Sequence, residues 1–163
     1  MQKLIVYGSL INEEELQDQG LWGHNTEPVK VFGYRRVFNQ EPSYRMKDSN
    51  DRAVLSIQAN ATSWFNALLI KDLDDAYFEA LDMREIGYER IQVDCKTYGG
   101  VFYKDCFVYL GRGDKKNNEI SPNKEYLELC LKGAKEISPE FHQDFVNSTF
   151  HNINKEQQPI LKG

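Results

Sequence analysis

The stretch that decides the fold is FNALLIKDLDDAYFEALDMREIGYERIQV, residues 65–93. It begins within an apolar run, residues 63–70, which predicts a strand buried on both faces. Residues 72–85 then predict a helix, because apolar side chains recur along one face at helical spacing. Gly87 ends that helix, and alternating polar and apolar residues over 88–95 predict a further strand. The stretch therefore predicts a strand, a helix and a second strand in succession.

Glu85 occupies an unusual place for an acid within this stretch. If a helix that starts at an Asp72 N-cap continues for one more turn, Glu85 lies four residues beyond Leu81 and eight beyond Tyr77. It would then border the apolar stripe, where burial raises a glutamate pKa from about 4.3 towards about 6 or 7, the range of a general base. The alternative is a solvated charge at a helix end, which is the commoner situation for glutamate.

A second candidate feature is the sequence YGSL, residues 7–10, which follows a short apolar strand. A glycine after a buried strand permits close backbone approach, and successive free N–H groups in such a turn can bind a carboxylate or a developing oxyanion. The alternative is a plain turn between a strand and a loop, since Gly-Ser pairs are common in loops.

Arginine and tyrosine side chains supply further candidates, because both can orient a substrate carboxylate. They are Arg35, Arg36, Tyr88, Arg90 and Tyr126. The same residue types also occur as amphipathic side chains at the edges of sheets and helices. In addition, the polar, turn-rich segment 39–51 predicts a mobile loop over a site.

The length of 163 residues fits one domain, and without a repeat or linker the sequence predicts a single domain over 1–163. Two helices are expected to close the chain, starting at Ser121-Pro122 and at Ser138-Pro139. No apolar run approaches the roughly 20 residues that a membrane span needs, and residues 1–10 lack the pattern of a signal peptide. We therefore expect a cytoplasmic protein without a membrane partner.

Several classes of function lack their sequence markers. A net charge of -5 argues against a nucleic-acid partner. The three histidines are far apart without HExxH spacing, and the three cysteines form no CxxC pair, so no metal site is expected and the thiols are expected to be buried and reduced. Nucleotide-binding glycine motifs and the GxSxG motif of serine hydrolases are also absent from the sequence.

Taken in order, four segments of the chain resemble the γ-glutamylcyclotransferase family. They are YGSL (7–10), FGYRRVF (32–38), the stretch 65–93 and SPNKEYLELCLKGAKEISPEFHQDFVNST (121–149). The resemblance implies an α+β fold, a small mixed β-barrel flanked by helices. It also implies a cofactor-independent enzyme that cyclises a small-molecule γ-glutamyl amide to 5-oxoproline and releases the amine.

The resemblance also implies roles for individual residues. Glu85 would take a proton from the substrate's α-ammonium and later give it to the leaving nitrogen. The expected substrate-binding residues are Tyr7, Gly8, Ser9, Leu10, Arg36, Tyr88 and Tyr126. Of these, the residues of the YGSL loop would bind substrate oxygens through backbone N–H groups.

Departures from the family pattern leave the substrate open. Many relatives carry asparagine where this chain has Leu10, and glycine often occurs at the position of Asn66. YGSL, GYRR and LDMREIGY are similar to the glutathione-specific branch, but the histidine-arginine-glycine segment of that branch is missing. Glutathione, a γ-glutamyl amino acid and a γ-glutamyl amine all remain possible substrates, and the oligomeric state stays open. The alternative function is a non-catalytic sensor of a small ligand on the same fold.

Overall fold

The computed structural model describes residues 2–21, 25–42 and 49–160. The predicted loop at 39–51 lies partly outside these ranges. The strands are β1 (Gln2–Val6), β2 (Thr26–Gln40), β3 (Val54–Leu73), β4 (Tyr88–Thr97), β5 (Phe102–Gly111), β6 (Thr149–Ile153) and β7 (Glu156–Pro159). The helices are α1 (Glu13–Asp18), α2 (Asp75–Arg84), α3 (Lys124–Ile137) and α4 (Pro139–Asn147), and short 3-10 turns occupy Ser9–Ile11 and Gly113–Lys115.

The strands form one sheet that closes into a barrel. Their order is β3-β1-β5-β4-β2-β6-β7, and β2 pairs with β3 as well, which joins the first five strands into a ring. Within the ring β1 runs parallel to β5, while the other pairs are antiparallel. The long β2–β3 hairpin extends from the pair Thr26 and Ile70 to the pair Gln40 and Val54. The expected α+β fold with a small mixed barrel and flanking helices is confirmed.

The apolar run in β3 is buried, as its sequence predicted. Phe65, Ala67, Leu69 and Ile70 are fully inaccessible to solvent. Successive residues of a strand point to opposite faces, so burial of neighbours such as Leu69 and Ile70 requires cover on both sides. One face of β3 points into the barrel interior, and other secondary-structure elements pack against its opposite face.

Helix α2 is shorter than the predicted helix over 72–85. It covers Asp75–Arg84, and its N-cap is Asp74 rather than Asp72. The reason is tertiary: Leu73 pairs with Gln2 of β1, so the chain remains in β3 up to that residue. Glu85 is consequently the C-cap residue and not part of the helix.

Of the two closing helices, α4 begins where the sequence predicted and α3 begins later. Helix α3 begins at Lys124 after an Asn123 N-cap, not at Ser121-Pro122, because the Asn123 side chain accepts a hydrogen bond from the N–H of Tyr126. Helix α4 begins as predicted, with Ser138 accepting from the N–H of Phe141 at 2.9 Å and proline in the first turn.

The three cysteines are buried free thiols, as expected. The structure adds that Cys95 and Cys106 are neighbours across β4 and β5, with their Sγ atoms 3.8 Å apart. Among the described residues, no helix is long and apolar enough to cross a membrane.

Candidate active site

A cavity of about 410 Å³ opens between the YGSL loop, the end of α2 and the start of α3. It is lined by six of the seven predicted substrate-binding residues together with the predicted base. These are Tyr7, Gly8, Ser9, Leu10, Tyr88, Tyr126 and Glu85. The fold thus brings together residues that are more than a hundred positions apart in the sequence.

Glu85 contributes a carboxyl group to the cavity from the end of α2. Its backbone N–H donates to the carbonyl of Leu81 at 2.8 Å, which fixes the residue directly after the last helical turn. Burial raises the pKa of Glu85 from 4.5 to about 7, and desolvation is the sole cause of this shift. A carboxyl with this pKa exchanges its proton near neutral pH, as a general acid or base requires.

The YGSL loop presents backbone donors to the same cavity. The carbonyl of Gly8 accepts from the N–H of Ile11 at 3.1 Å, which curls residues 9–11 into a single 3-10 turn. Within the described part of the chain, the N–H groups of Gly8, Ser9 and Leu10 donate to no protein acceptor. These three donors are therefore available to the oxygens of a ligand.

Gly8 is constrained by its neighbour on α3. A Cβ atom at this position would collide with the hydroxyl of Tyr126. A larger residue at this position would therefore displace Tyr126 or the loop.

The tyrosines of the wall are held by hydrogen bonds to the barrel. The hydroxyl of Tyr7 donates to the carbonyl of Tyr109 at 2.6 Å, and that of Tyr88 donates to the carbonyl of Leu55 at 2.7 Å. Burial raises the pKa of both phenols well above 10, so they remain neutral. They define the shape of the cavity without adding charge to it.

Arg36 does not line the cavity, which corrects the expectation that it contacts substrate directly. Its side chain lies wholly inside the protein, where the guanidinium donates hydrogen bonds to residues 145–149, at the end of α4 and the start of β6. The guanidinium donates to the carbonyl of Tyr7 at 3.1 Å and to the carbonyl of Asn66 at 2.6 Å. Arg36 therefore stabilises the YGSL loop through its hydrogen bond to Tyr7, without lining the cavity itself.

Sequence analysis missed one residue of the cavity wall, Tyr109, and the acid that it contacts outside the cavity lining, Asp82. Tyr109 lines the cavity, and its hydroxyl donates to Oδ1 of Asp82 at 2.6 Å. Asp82 also pairs with Arg90, at 3.3 Å between Oδ2 and Nη2. The position of Asp82, three residues before Glu85, is a usable sequence signal, because such residues share a helix face. Tyr109 gives no comparable signal, since its contact depends on how β5 pairs.

No protein-family model matches the sequence, and no curated protein matches it with significant sequence similarity. Solved structures do match the fold. A structure described as a gamma-glutamyl cyclotransferase superposes with a TM-score of 0.71 at 16% identity, over 88% of this chain and 85% of that one. The chain has the γ-glutamylcyclotransferase-like fold.

Two further structures share the γ-glutamylcyclotransferase-like fold. YkqA from Bacillus subtilis matches with a TM-score of 0.70 at 23% identity over 87% of this chain, and this chain spans only 51% of its length. A yeast γ-glutamyl cyclotransferase described as specific to glutathione matches with a TM-score of 0.61 at 15% identity, over 88% of this chain and 93% of that one. Identities this low establish the fold, and the function is argued from the site itself.

Proposed function

We propose that the chain is a γ-glutamylcyclotransferase, which converts a γ-glutamyl amide to 5-oxoproline and releases the amine. One observation carries the proposal: a carboxyl group with a pKa of about 7 and a loop with three free backbone donors face one cavity. This combination provides a proton acceptor and a binding surface for substrate oxygens, which are the two elements that an intramolecular amide cyclisation requires.

The reaction begins with proton transfer. In its ionised form Glu85 takes a proton from the substrate's α-ammonium, and the resulting amine attacks the γ-carbonyl carbon. The N–C bond closes a five-membered ring and leaves a negative charge on the former carbonyl oxygen. The ring nitrogen still carries one extra proton at this point. The protonated Glu85 donates its proton to the leaving nitrogen, the original amide C–N bond breaks, and the carbonyl re-forms. Glu85, ionised again, takes the extra proton from the ring nitrogen and passes it to the released amine, which leaves as an ammonium ion.

The nucleophile belongs to the substrate, so the protein has little covalent chemistry to perform. Holding the γ-glutamyl chain in a folded conformation keeps the amine close to the γ-carbonyl carbon and so favours ring closure. The proposed steps contain no oxidation, reduction or external nucleophile. They accordingly involve no cofactor and use Glu85 as the only titrating group.

The substrate remains one of three γ-glutamyl classes: glutathione, γ-glutamyl amino acids and γ-glutamyl amines. A volume of about 410 Å³ is within the range of small-ligand pockets and suits a ligand of this size. The name of the yeast neighbour specifies glutathione for that protein, which makes glutathione the first compound to assay.

The test is an assay of 5-oxoproline release from one compound of each class, with wild-type protein and Glu85→Gln in parallel. We expect turnover of at least one class by the wild type and loss of that turnover in the variant. If no compound is turned over while one binds tightly, the chain is a sensor that has kept the fold, and the enzymatic proposal is wrong.

A further inference from the structure

The side chain of Gln40, at the end of β2, is buried beside the turn that carries Glu85. Only 1% of Gln40 is exposed to solvent. Its Nε2 atom donates a hydrogen bond to the carbonyl oxygen of Gly87 at 2.9 Å. Gln40 does not itself line the cavity, so an effect of this residue on a bound ligand would pass through the turn.

Residues 85–88 form the turn between α2 and β4. The N–H of Tyr88 donates to the carbonyl of Glu85 at 3.1 Å, and Gly87 between them has a φ of 91°, which favours glycine. The carbonyl of Gly87 also accepts from the N–H of Arg112 at 2.8 Å. Its two acceptor sites are therefore used by two different parts of the chain, β2 and the residue that follows β5.

Gln40 makes its contact where β2 and β4 have separated. Among the described residues, these strands pair with each other only over Val29–Lys30 and Lys96–Thr97. Continuing this antiparallel register from Lys30 by ten residues leads to Gln40, and going back from Lys96 by ten residues leads to Ile86, within the turn. At this end of the barrel the Gln40 side chain therefore connects β2 to the turn in place of a backbone ladder.

Glu85 is the first residue of the turn, so the turn determines where its carboxyl group lies. On the α2 side, the N–H of Glu85 donates to the carbonyl of Leu81 at 2.8 Å. On the β4 side, the bond from Gln40 fixes the backbone at Gly87, two residues further on. Proton transfer requires the acid-base group within hydrogen-bond reach of the reacting nitrogen, and a displacement of about 1 Å can cost about 100-fold in rate.

We propose that Gln40 is a positioning residue, which fixes the Glu85 carboxyl group at the distance from the substrate amine that proton transfer requires. The inference rests on the proposed function for the identity of the reacting amine. Gln40 donates to the turn and not to the YGSL loop, so its effect should be on the chemical step and not on the binding of substrate oxygens.

The first test is Gln40→Met, which keeps the approximate size of the side chain and removes the donor to Gly87. Kinetics are measured at pH 8, above the Glu85 pKa of about 7, so that the base is ionised. We expect kcat for 5-oxoproline release to fall by about 10-fold or more, while KM stays within about twofold of the wild type.

Asn39→Leu is the matched control, because Asn39 is the preceding residue of β2 and is only 3% exposed. Its side chain donates to Gln58 at 3.3 Å and to Asn118 at 3.2 Å, and both acceptors lie outside the turn. This variant should be less stable than the wild type, because it loses hydrogen bonds of a buried side chain. Its kcat should nevertheless stay within about twofold of the wild type.

The second test needs no substrate. The side-chain carboxyl of Glu85 is titrated by 13C NMR, and its signal is assigned by its absence in Glu85→Gln. The wild-type midpoint should lie near 7. In Gln40→Met it should be lower by about one pH unit, because a displaced turn admits water to the carboxyl group. The substitution changes none of the other titratable groups that line the cavity, which are Tyr7, Glu15, Arg84, Tyr88, Tyr109 and Tyr126.

An unchanged kcat in Gln40→Met would overturn the inference, and so would equal losses of kcat in Gln40→Met and Asn39→Leu. If Gln40→Met does not fold, the same measurements are made on Gln40→Asn, whose amide is one methylene too short for the bond. Failure of both variants to fold, while Asn39→Leu folds, would show that Gln40 stabilises the whole barrel and would contradict a specific role.

The two proposals fail separately. If the wild type turns over no γ-glutamyl compound, the proposed reaction is wrong, and the NMR midpoint alone decides the role of Gln40. A lower midpoint in Gln40→Met would then support the positioning of Glu85, and an unchanged midpoint would contradict it.

Discussion

The hydroxyl of Tyr109 donates a 2.6 Å hydrogen bond to Asp82, which lies three residues before Glu85. The backbone carbonyl of the same tyrosine accepts from the hydroxyl of Tyr7 at 2.6 Å. Tyr109 therefore contacts both halves of the site, the loop that carries the backbone donors and the helix that places the carboxyl group.

Replacing Tyr109 with phenylalanine removes the bond to Asp82 and keeps the aromatic packing. We expect a fall in kcat of about 10-fold and a loss of about 0.5–1.5 kcal/mol in the free energy of unfolding, the usual net value of one hydrogen bond. Steady-state kinetics and denaturant unfolding measure the two effects. Tyr34→Phe is the control, since Tyr34 lies outside the cavity lining. An equal loss of kcat in both variants would contradict a specific role for Tyr109.

Glu85→Gln retains the size of the side chain and removes its capacity to accept a proton. Its kcat should fall by roughly 10² to 10⁴, the usual contribution of a positioned acid-base group, or about 3 to 5 kcal/mol of barrier. Glu79→Gln is the matched control, because Glu79 is an exposed residue on the same helix and does not line the cavity. In the wild type, kcat/KM should rise with pH around a midpoint near the Glu85 pKa of about 7. A Gln variant with near-full activity would assign no catalytic role to this acid.

The raised pKa of Glu85 also predicts a pH dependence of stability. The folded protein holds the carboxyl proton more tightly than the unfolded chain, so this contribution is fully present below about pH 4.5 and is lost as the pH rises to about 7. Glu85→Gln stays neutral at every pH. It should match the wild type at pH 4.5 and exceed its free energy of unfolding by up to about 3 kcal/mol at pH 8. Urea unfolding at both pH values measures the difference, and a variant less stable than wild type at pH 8 would show that burial does not raise this pKa.

The contact between Gly8 and Tyr126 predicts an interaction between two substitutions. Gly8→Ala places a Cβ against the Tyr126 hydroxyl, so kcat/KM should fall by at least about 10-fold as the loop is displaced. Tyr126→Phe removes that hydroxyl, and the double variant should recover part of the loss. A double-mutant cycle measures this coupling. Strictly additive losses would mean that the glycine is needed for another reason.

Where much of the candidate site lies could be predicted because local sequence encodes it. Glu85 was predicted to border an apolar stripe from its spacing to Leu81, and its raised pKa agrees with the expected burial. Its role as a base stays a prediction. The predicted helix extends one residue too far at this end, since α2 ends at Arg84 and Glu85 follows it as the C-cap. The start of the helix was misplaced because Leu73 pairs with β1, a long-range contact that local periodicity does not contain.

The remaining features depend on barrel closure. A pattern of alternating residues in β2 indicates which side chains share a face, but it does not say which face α4 will cover. Arg36 was therefore expected to line the cavity, whereas the structure buries its side chain in the protein interior, away from the cavity surface. The parallel pairing of β1 with β5, which brings Tyr109 to Tyr7, likewise has no local signature.

The hydrogen bond between Tyr7 and Tyr109 spans 102 positions of the chain. Forming a contact of such long range costs the entropy of closing a large loop. A growing polypeptide that ends before β5 already contains Glu85 and the YGSL loop, but it lacks Tyr109, which contacts both Tyr7 and α2. The cavity is thus a product of the closed barrel, and a γ-glutamyl ligand bound there would stabilise the whole barrel rather than any single segment.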